Sequence, residues 1–281
     1  TRLGSVADIA DLALDTGVRL HCAVEGDGVT VVLLHGTGCD NRFWKLQREV
    51  YAEQYQVVTV DMRGAGQSDV PDDPTTYSSE VMADDVAALI RALDLPPVHL
   101  AGHSLGSCVA QQVGIRHPDV VRSLQLHATW AVADTWLQRA FIGTTRYTLE
   151  RGDLHATFRT VMMWMLSPDY LSTWGPEHVA SMVRHCFIDN PHQQANEGML
   201  GHLHADGVHD TRELLGSISV PTLVTAGEQD YLIPARYGRE VGGLVPGAGL
   251  HLFEGPHSSH GMNWEMVDEF NAVTLDFMSG C

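Results

Sequence analysis

Residues Gly102-His103-Ser104-Leu105-Gly106 read Gly-x-Ser-x-Gly, and their setting is as informative as the match. Val98-His99-Leu100-Ala101 before them has strand character, and Ser107 to Arg116 after them reads as a helix closed by His117-Pro118. A strand, a sharp turn and a helix make a nucleophile elbow, in which the serine sits strained at the turn with its hydroxyl pointing out of the fold. The flanking glycines suit a turn too tight for a Cβ. A serine hydroxyl is a weak nucleophile. It needs a base, an acid to orient that base, and hydrogen-bond donors for a developing oxyanion. Two histidines near the end of the chain, His257 and His260, can serve as base, and Glu228 and Asp230 offer the acid.

The elements that must position these groups follow from patterning. Two short strand-like pieces surround Asp15-Thr16-Gly17, a plausible hairpin. Val29 to Leu34 is a continuous apolar, β-branched run suited to a strand buried on both faces, and Val57 to Val60 is another. Met82, Val86, Leu89, Ile90 and Leu93 share one face of a predicted helix from about Ser79 to Leu93, capped by Ser78 or Ser79. Further strands are expected at Val121 to His127, Pro221 to Ala226 and Leu250 to Phe253. A helix is expected to begin near Pro234, and a single last helix to run from about Asn263 to Met278 with Met266, Phe270, Val273 and Phe277 on one face. Alternating strands and helices imply an α/β fold with a mostly parallel sheet covered on both sides. Residues 131–209 break the rhythm. They read as helices rich in Met, Trp and His, among them Trp136, Met162, Met163, Trp164, Met165, Trp174, Met182 and Met199. The expected organisation is a core of residues 1–130 and 210–281 with 131–209 as a helical cap over the sheet's carboxyl edge, where open α/β sheets bind ligands.

The chain has 281 residues, 44% hydrophobic and 19% charged, as in a soluble globular protein. A formal net charge of −18 disfavours nucleic acid and anionic membrane surfaces as partners. No apolar run approaches the ~20 residues of a membrane span. Thr1-Arg2-Leu3-Gly4-Ser5 shows no signal-peptide core, so a cytoplasmic location is expected. Cys22, Cys39, Cys108, Cys186 and Cys281 are odd in number and widely spread, which suggests reduced thiols, with Cys108 as buried packing. His202-x-His204 with His209 lacks helical ligand spacing and nearby acidic ligands, so no metal is expected. No Walker-type phosphate loop occurs, and no cofactor is expected.

Five motifs in order carry a resemblance. They are His35-Gly36-Thr37-Gly38, Asp61-Met62-Arg63-Gly64-Ala65-Gly66-Gln67-Ser68, the elbow, Gly227-Glu228-Gln229-Asp230, and a histidine ahead of the last helix. With this Ser–Asp–His order the sequence resembles the α/β-hydrolase fold family from first strand to last helix. The resemblance implies Ser104 as nucleophile and Asp230 as acid, since Asp230 follows a buried strand at a glycine turn and precedes Pro234. Relatives commonly carry an acidic residue about five positions after the catalytic histidine and an inward Phe or Leu about ten after it. Glu265 and Phe270 match that count from His260 and not from His257. Ser259 stands where the family usually has Gly. The resemblance further implies the backbone N–H groups of Leu105 and Thr37 as oxyanion donors, His35 as a structural hydrogen-bonder, and the Asp61 to Ser68 stretch as a tight turn held by Arg63 and its glycines. His35, Gly36, Trp130, Met163 and Trp164 are expected to line the substrate pocket.

The function implied is that of a serine hydrolase, nearest to carboxylesterases and enol-lactonases, taking a small or medium ester or lactone with apolar parts. Amide, carbamate or carbon–carbon hydrolysis can run on the same machinery, although members of the last kind commonly have Asn where His103 stands. Haloalkane dehalogenases carry Asp where Ser104 stands. A rival class comprises relatives that keep the triad yet act as ligand receptors, lyases or epimerases, and fold alone does not separate them.

Overall fold

The structure, a computed structural model, describes residues 8–183, 190, 192 and 195–281. The N-terminal Thr1 to Ser5 and Cys186 lie outside the described residues, as do the side chains of Trp174 and Met182.

Eight strands form one sheet: β1 (Asp8–Ala13), β2 (Arg19–Glu25), β3 (Thr30–Leu34), β4 (Gln56–Asp61), β5 (Val98–His103), β6 (Val121–His127), β7 (Thr222–Gly227) and β8 (Gly249–Phe253). Their spatial order is β1-β2-β4-β3-β5-β6-β7-β8. The first hairpin turns at Gly17, whose φ is +85°, and β2 runs antiparallel to both β1 and β4. All other neighbours are parallel. Every residue of β3, β5 and β7 is buried. Alternation splits β3 between two layers, because successive side chains leave a strand on opposite faces. Val32 and Leu34 join one apolar cluster, and Val31 and Leu33 join the other.

The helices of the sheet layers are α1 (Lys45–Tyr51), α2 (Ser79–Ala92) and α3 (Leu105–Arg116). Ser78 caps α2, its Oγ accepting the Val81 N–H at 3.3 Å. Between β6 and β7 the described residues form a series of helices: α4 (Thr135–Leu137), which continues into a π turn at Gln138–Ile142, then α5 (Gly143–Leu149), α6 (Leu154–Met165), α7 (Pro168–Val183) and α8 (Asn196–Val208). Gly175, at φ 72° and ψ 170°, bends α7. An antiparallel bridge between Val132 and Asp210 joins the two ends of this excursion, beside a 2.8 Å hydrogen bond from the Thr211 N–H to the Ala131 carbonyl. Then follow α9 (Ala235–Leu244), α10 (Met262–Glu265) and α11 (Val267–Ser279).

The end of the chain departs from expectation. The single last helix is two, broken at Met266, where φ −122° and ψ 47° leave the helical region. The face that α11 buries is Phe270, Asn271, Thr274 and Met278 rather than the apolar series ending in Phe277. Phe270, Thr274 and Met278 recur every four residues along α11, so its buried face is set within that helix and not by a series running back through Met266.

Candidate active site

The chain switches sides at β3, with parallel β4 on one flank and parallel β5 on the other. Loops leaving the carboxyl ends of two such strands diverge and open a crevice. The His35-Gly36-Thr37-Gly38 loop leaves β3 there, and Ser104 leaves β5. Ser104 has φ 55° and ψ −122°, a region L side chains rarely adopt. The surroundings hold it: its N–H donates to the His127 carbonyl at 2.9 Å, and its own carbonyl accepts from the Ser107 N–H at 2.8 Å. A Cβ on Gly102 would stand 2.1 Å from the Gly106 carbonyl oxygen, and one on Gly106 would stand 2.4 Å from that of Leu34. Neither neighbour is a side chain that can swing away, so both positions require glycine.

Asp230 follows β7 in a turn packed on the loop after β8. A Cβ on Gly227 would meet the Ser258 carbonyl at 2.1 Å, and the Gln229 N–H donates to that same oxygen at 2.9 Å. The two loops therefore sit backbone against backbone. Asp230 Oδ1 accepts the N–H groups of Leu232 and Ile233, each at 2.8 Å, and Oδ2 lies 2.9 Å from His260 Nδ1. A carboxylate accepts, so Nδ1–H donates to it and Nε2 carries the lone pair. Both side chains are buried. His260 and Ser104 line one pocket without a direct hydrogen bond to each other among the described residues. Such contacts commonly tighten only when substrate binds.

His257 stands apart. Its side chain is 43% exposed, its Nδ1 faces Glu265 Oε2 at 3.3 Å, and it is absent from the pocket lining. The side chain of Glu265 is itself fully buried, and a carboxylate oxygen lies 2.6 Å from Ser259 Oγ. Ser259 Oγ also reaches the Met165 carbonyl at 2.8 Å. The hydroxyl where the family pattern has Gly thus ties the histidine loop to the end of α6.

Thr37 lines the pocket, and its N–H makes no hydrogen bond to a described residue. Leu105 opens α3, where an N–H has no intrahelical acceptor. A Cβ on Gly36 would come within 3.2 Å of Ser104 Cβ, which measures how closely this loop approaches the serine. His35 does not line the pocket. Buried, it bonds the Gly36 carbonyl through Nδ1 at 2.8 Å and accepts the Met62 N–H on Nε2 at 3.1 Å. Burial lowers its pKa and favours the neutral ring that this pairing needs.

Of the other expected pocket residues, the structure brings only Gly36 into the lining. Trp130 is buried in the core edge-on to His209, with ring centroids 6.0 Å apart. Met163 is 63% exposed, and Trp164 packs edge-on to Trp136. The reason is helical phase. Val161 and Met165, four residues apart on α6, face Ser104, which turns Met163 to the opposite side. The apolar lining is Phe43, Phe141, Val161, Met165 and Leu232, with Cys39 and His103 also present. Reading α6 at its 3.6-residue period could have found Val161 and Met165. Phe43 arrives on a short 3-10 turn, Asn41–Trp44, with no sequence signal of its own.

His103 has a structural use. Its Nε2–H donates to the His260 carbonyl at 2.9 Å, and burial holds its pKa well below the usual imidazole range. The Asp61 to Ser68 turn is built on Asp61, which accepts the N–H groups of Asn41 at 2.7 Å and Gln67 at 2.9 Å. Arg63 makes a two-pronged buried ion pair with Asp85. Cys108 is buried, which pushes its thiol up. His202 and His209 face different partners, the Arg63 carbonyl and Ser79 Oγ. Among the described residues no cluster of three or more His, Cys, Asp or Glu could hold a metal ion, and no helix is long and apolar enough to cross a membrane.

Known proteins agree with this architecture. Residues 29–147 match the family described as alpha/beta hydrolase fold. A protein of Pantoea ananatis (strain LMG 20103) named "Putative carbamate hydrolase RutD" is 30% identical over 256 residues, which is 90% of this chain and 89% of that one. A hydrolase from Pseudomonas aeruginosa PA01 superposes with a TM-score of 0.85 at 25% identity, covering 98% of this chain and 99% of that one. The enol-lactonase from Burkholderia xenovorans LB400 superposes with a TM-score of 0.82 at 24% identity, covering 96% and 100%. The chain belongs to the α/β-hydrolase fold family.

Proposed function

We propose that this protein is a serine hydrolase that cleaves a small or medium carboxylic ester or lactone with apolar parts through an acyl-enzyme. The observation that carries the reading is the convergence on one pocket of a strained Ser104 and a His260 whose Nδ1 is held 2.9 Å from a fully hydrogen-bonded Asp230. In this reading Ser104 Oγ attacks the carbonyl carbon and its proton passes to His260 Nε2. Asp230 holds the ring and stabilises the imidazolium. The N–H groups of Thr37 and Leu105 take the oxyanion. Collapse expels the alkoxide, which receives the proton from His260. Water, deprotonated by the same nitrogen, then releases the acid and frees Ser104.

The apolar lining from Phe141, Val161 and Met165 supports an apolar acyl part, and residues 131–209 act as the cap that supplies it. The enol-lactonase likeness, at 24% identity, supports the fold and not the bond cleaved. The name of the Pantoea relative favours a second reading, a carbamate on the same machinery. The test is turnover of matched esters, lactones and carbamates, wild type against Ser104→Ala. Ester or lactone turnover that vanishes in the variant supports the first reading. Preference for the carbamate moves the assignment to the second. Turnover unaffected by the substitution removes both.

A further inference from the structure

Asp206, on the last turn of α8, is buried. Its Oδ2 accepts the Thr37 hydroxyl at 2.8 Å, across 169 positions of chain. Its Oδ1 is buried with no partner, and it makes no ion pair with any described residue. A carboxyl in that condition is a burden on stability, because a buried charge without a cation is expensive. One turn earlier on the same helix, His202 accepts the Gly38 N–H on Nδ1 at 3.4 Å and bonds the Arg63 carbonyl through Nε2 at 2.8 Å. Residues four apart share a helix face. One face of α8 thus grips two consecutive residues of the loop that approaches Ser104.

We propose that Asp206 is a positioning residue: through Thr37 it docks cap helix α8 onto the Gly36-Thr37-Gly38 loop and fixes the Thr37 N–H for the oxyanion. The role in turnover rests on the hydrolase reading, while the docking does not. A tight loop is stabilised against its alternatives by each fixed hydrogen bond, and an oxyanion donor counts only when it is already in place. The titratable groups bearing on this corner are Cys108 from α3, Glu80 on α2 beyond it, His202 on α8 itself, and His35 at the start of the loop, its ring 6.1 Å from that of His202 and its pKa lowered by burial. None is a cation: burial raises the Cys108 thiol and takes the His202 imidazole down to about 3. Burial likewise pushes Asp206 up to about 7, against the Thr37 hydrogen bond that lowers it. An Asn at 206 accepts the same hydroxyl without the charge.

The experiment compares wild type, Asp206→Asn and Asp206→Ala by hydrogen exchange of the peptide spanning 35–40, by thermal unfolding at pH 8, and by kcat and KM on the best ester substrate. Expected for Asp206→Ala is exchange in that peptide at least about tenfold faster, with kcat falling about tenfold or more and KM changing by less than about threefold. Asp206→Asn should recover most of both losses and melt at or above the wild-type temperature at pH 8. Unchanged loop exchange in Asp206→Ala would overturn the proposal. So would a lower Tm in both variants with kcat preserved, the mark of plain packing. A wild type inert toward Ser104-directed reagents sinks the hydrolase reading instead, and loop exchange then still decides the docking.

Discussion

The choice between two histidines three positions apart turns on one hydrogen bond. His260 Nδ1 meets Asp230, whereas the half-exposed His257 meets Glu265 at its edge. Spacing to Glu265 and Phe270 pointed to His260 because both residues have physical duties there. Phe270 is fully buried in the core beside His127 and Phe253, and Glu265 fastens Ser259 and Ser167. Under the proposed mechanism, loss of His260 should therefore cost far more than loss of its neighbour. His260→Ala should lower kcat by at least about 10³-fold, and His257→Ala by less than about tenfold. Steady-state kinetics on one ester decides it, and the reverse order would move the base to His257. What the residues did not disclose is the use of His103. Nothing in Gly-x-Ser-x-Gly says that the first variable position reaches across to the His260 carbonyl.

Strands were legible wherever burial on both faces produced runs of apolar and β-branched residues, as in β3 and β7, and α2 because a single face was periodic. The bounds of β6 fall at Val121 and His127 as expected. Two elements were not legible. The last helix breaks at Met266, a residue with good helix propensity, so local preference gives no sign of the break. The inner face of α6 was missed because Met162, Met163, Trp164 and Met165 are all apolar, so composition alone gives no phase. Met165 faces the pocket and Met163 the solvent, a difference set by about 100° of helix rotation per residue. Pocket residues contributed by turns, such as Phe43, lie further still from any periodic signal.

At the scale of the whole molecule, buried titratable groups set the response to pH. Burial takes His127 and His202 down to about 3 and His209 down to about 4. Each is neutral in the fold, but in the unfolded chain each binds a proton below ~6.5. The unfolded state then holds more protons, so stability falls as pH drops from about 6.5 toward 4. Asp206 acts in the opposite sense. Its raised pKa gives stability that is full below ~4 and is lost as pH rises through about 7. His99, His35 and His103 are lowered too, so the histidines outnumber the raised Asp206 and Asp61, and for each of His127, His202 and His209 the penalty is on the order of 2 kcal/mol at pH 5. Thermal unfolding should show Tm falling between pH 7 and pH 5. A Tm that rises over that interval would contradict the neutral, buried state of these imidazoles.

An activated nucleophile at Ser104 would react with a covalent serine reagent, which makes labelling the decisive experiment. The protein is treated with a fluorophosphonate probe, then read by intact mass and peptide mapping beside Ser104→Ala. One adduct is expected, at Ser104, absent from the variant and strongly slowed in His260→Ala. Labelling at another residue, or no labelling of a folded protein even when Phe141→Ala or Met165→Ala opens the pocket, would contradict it.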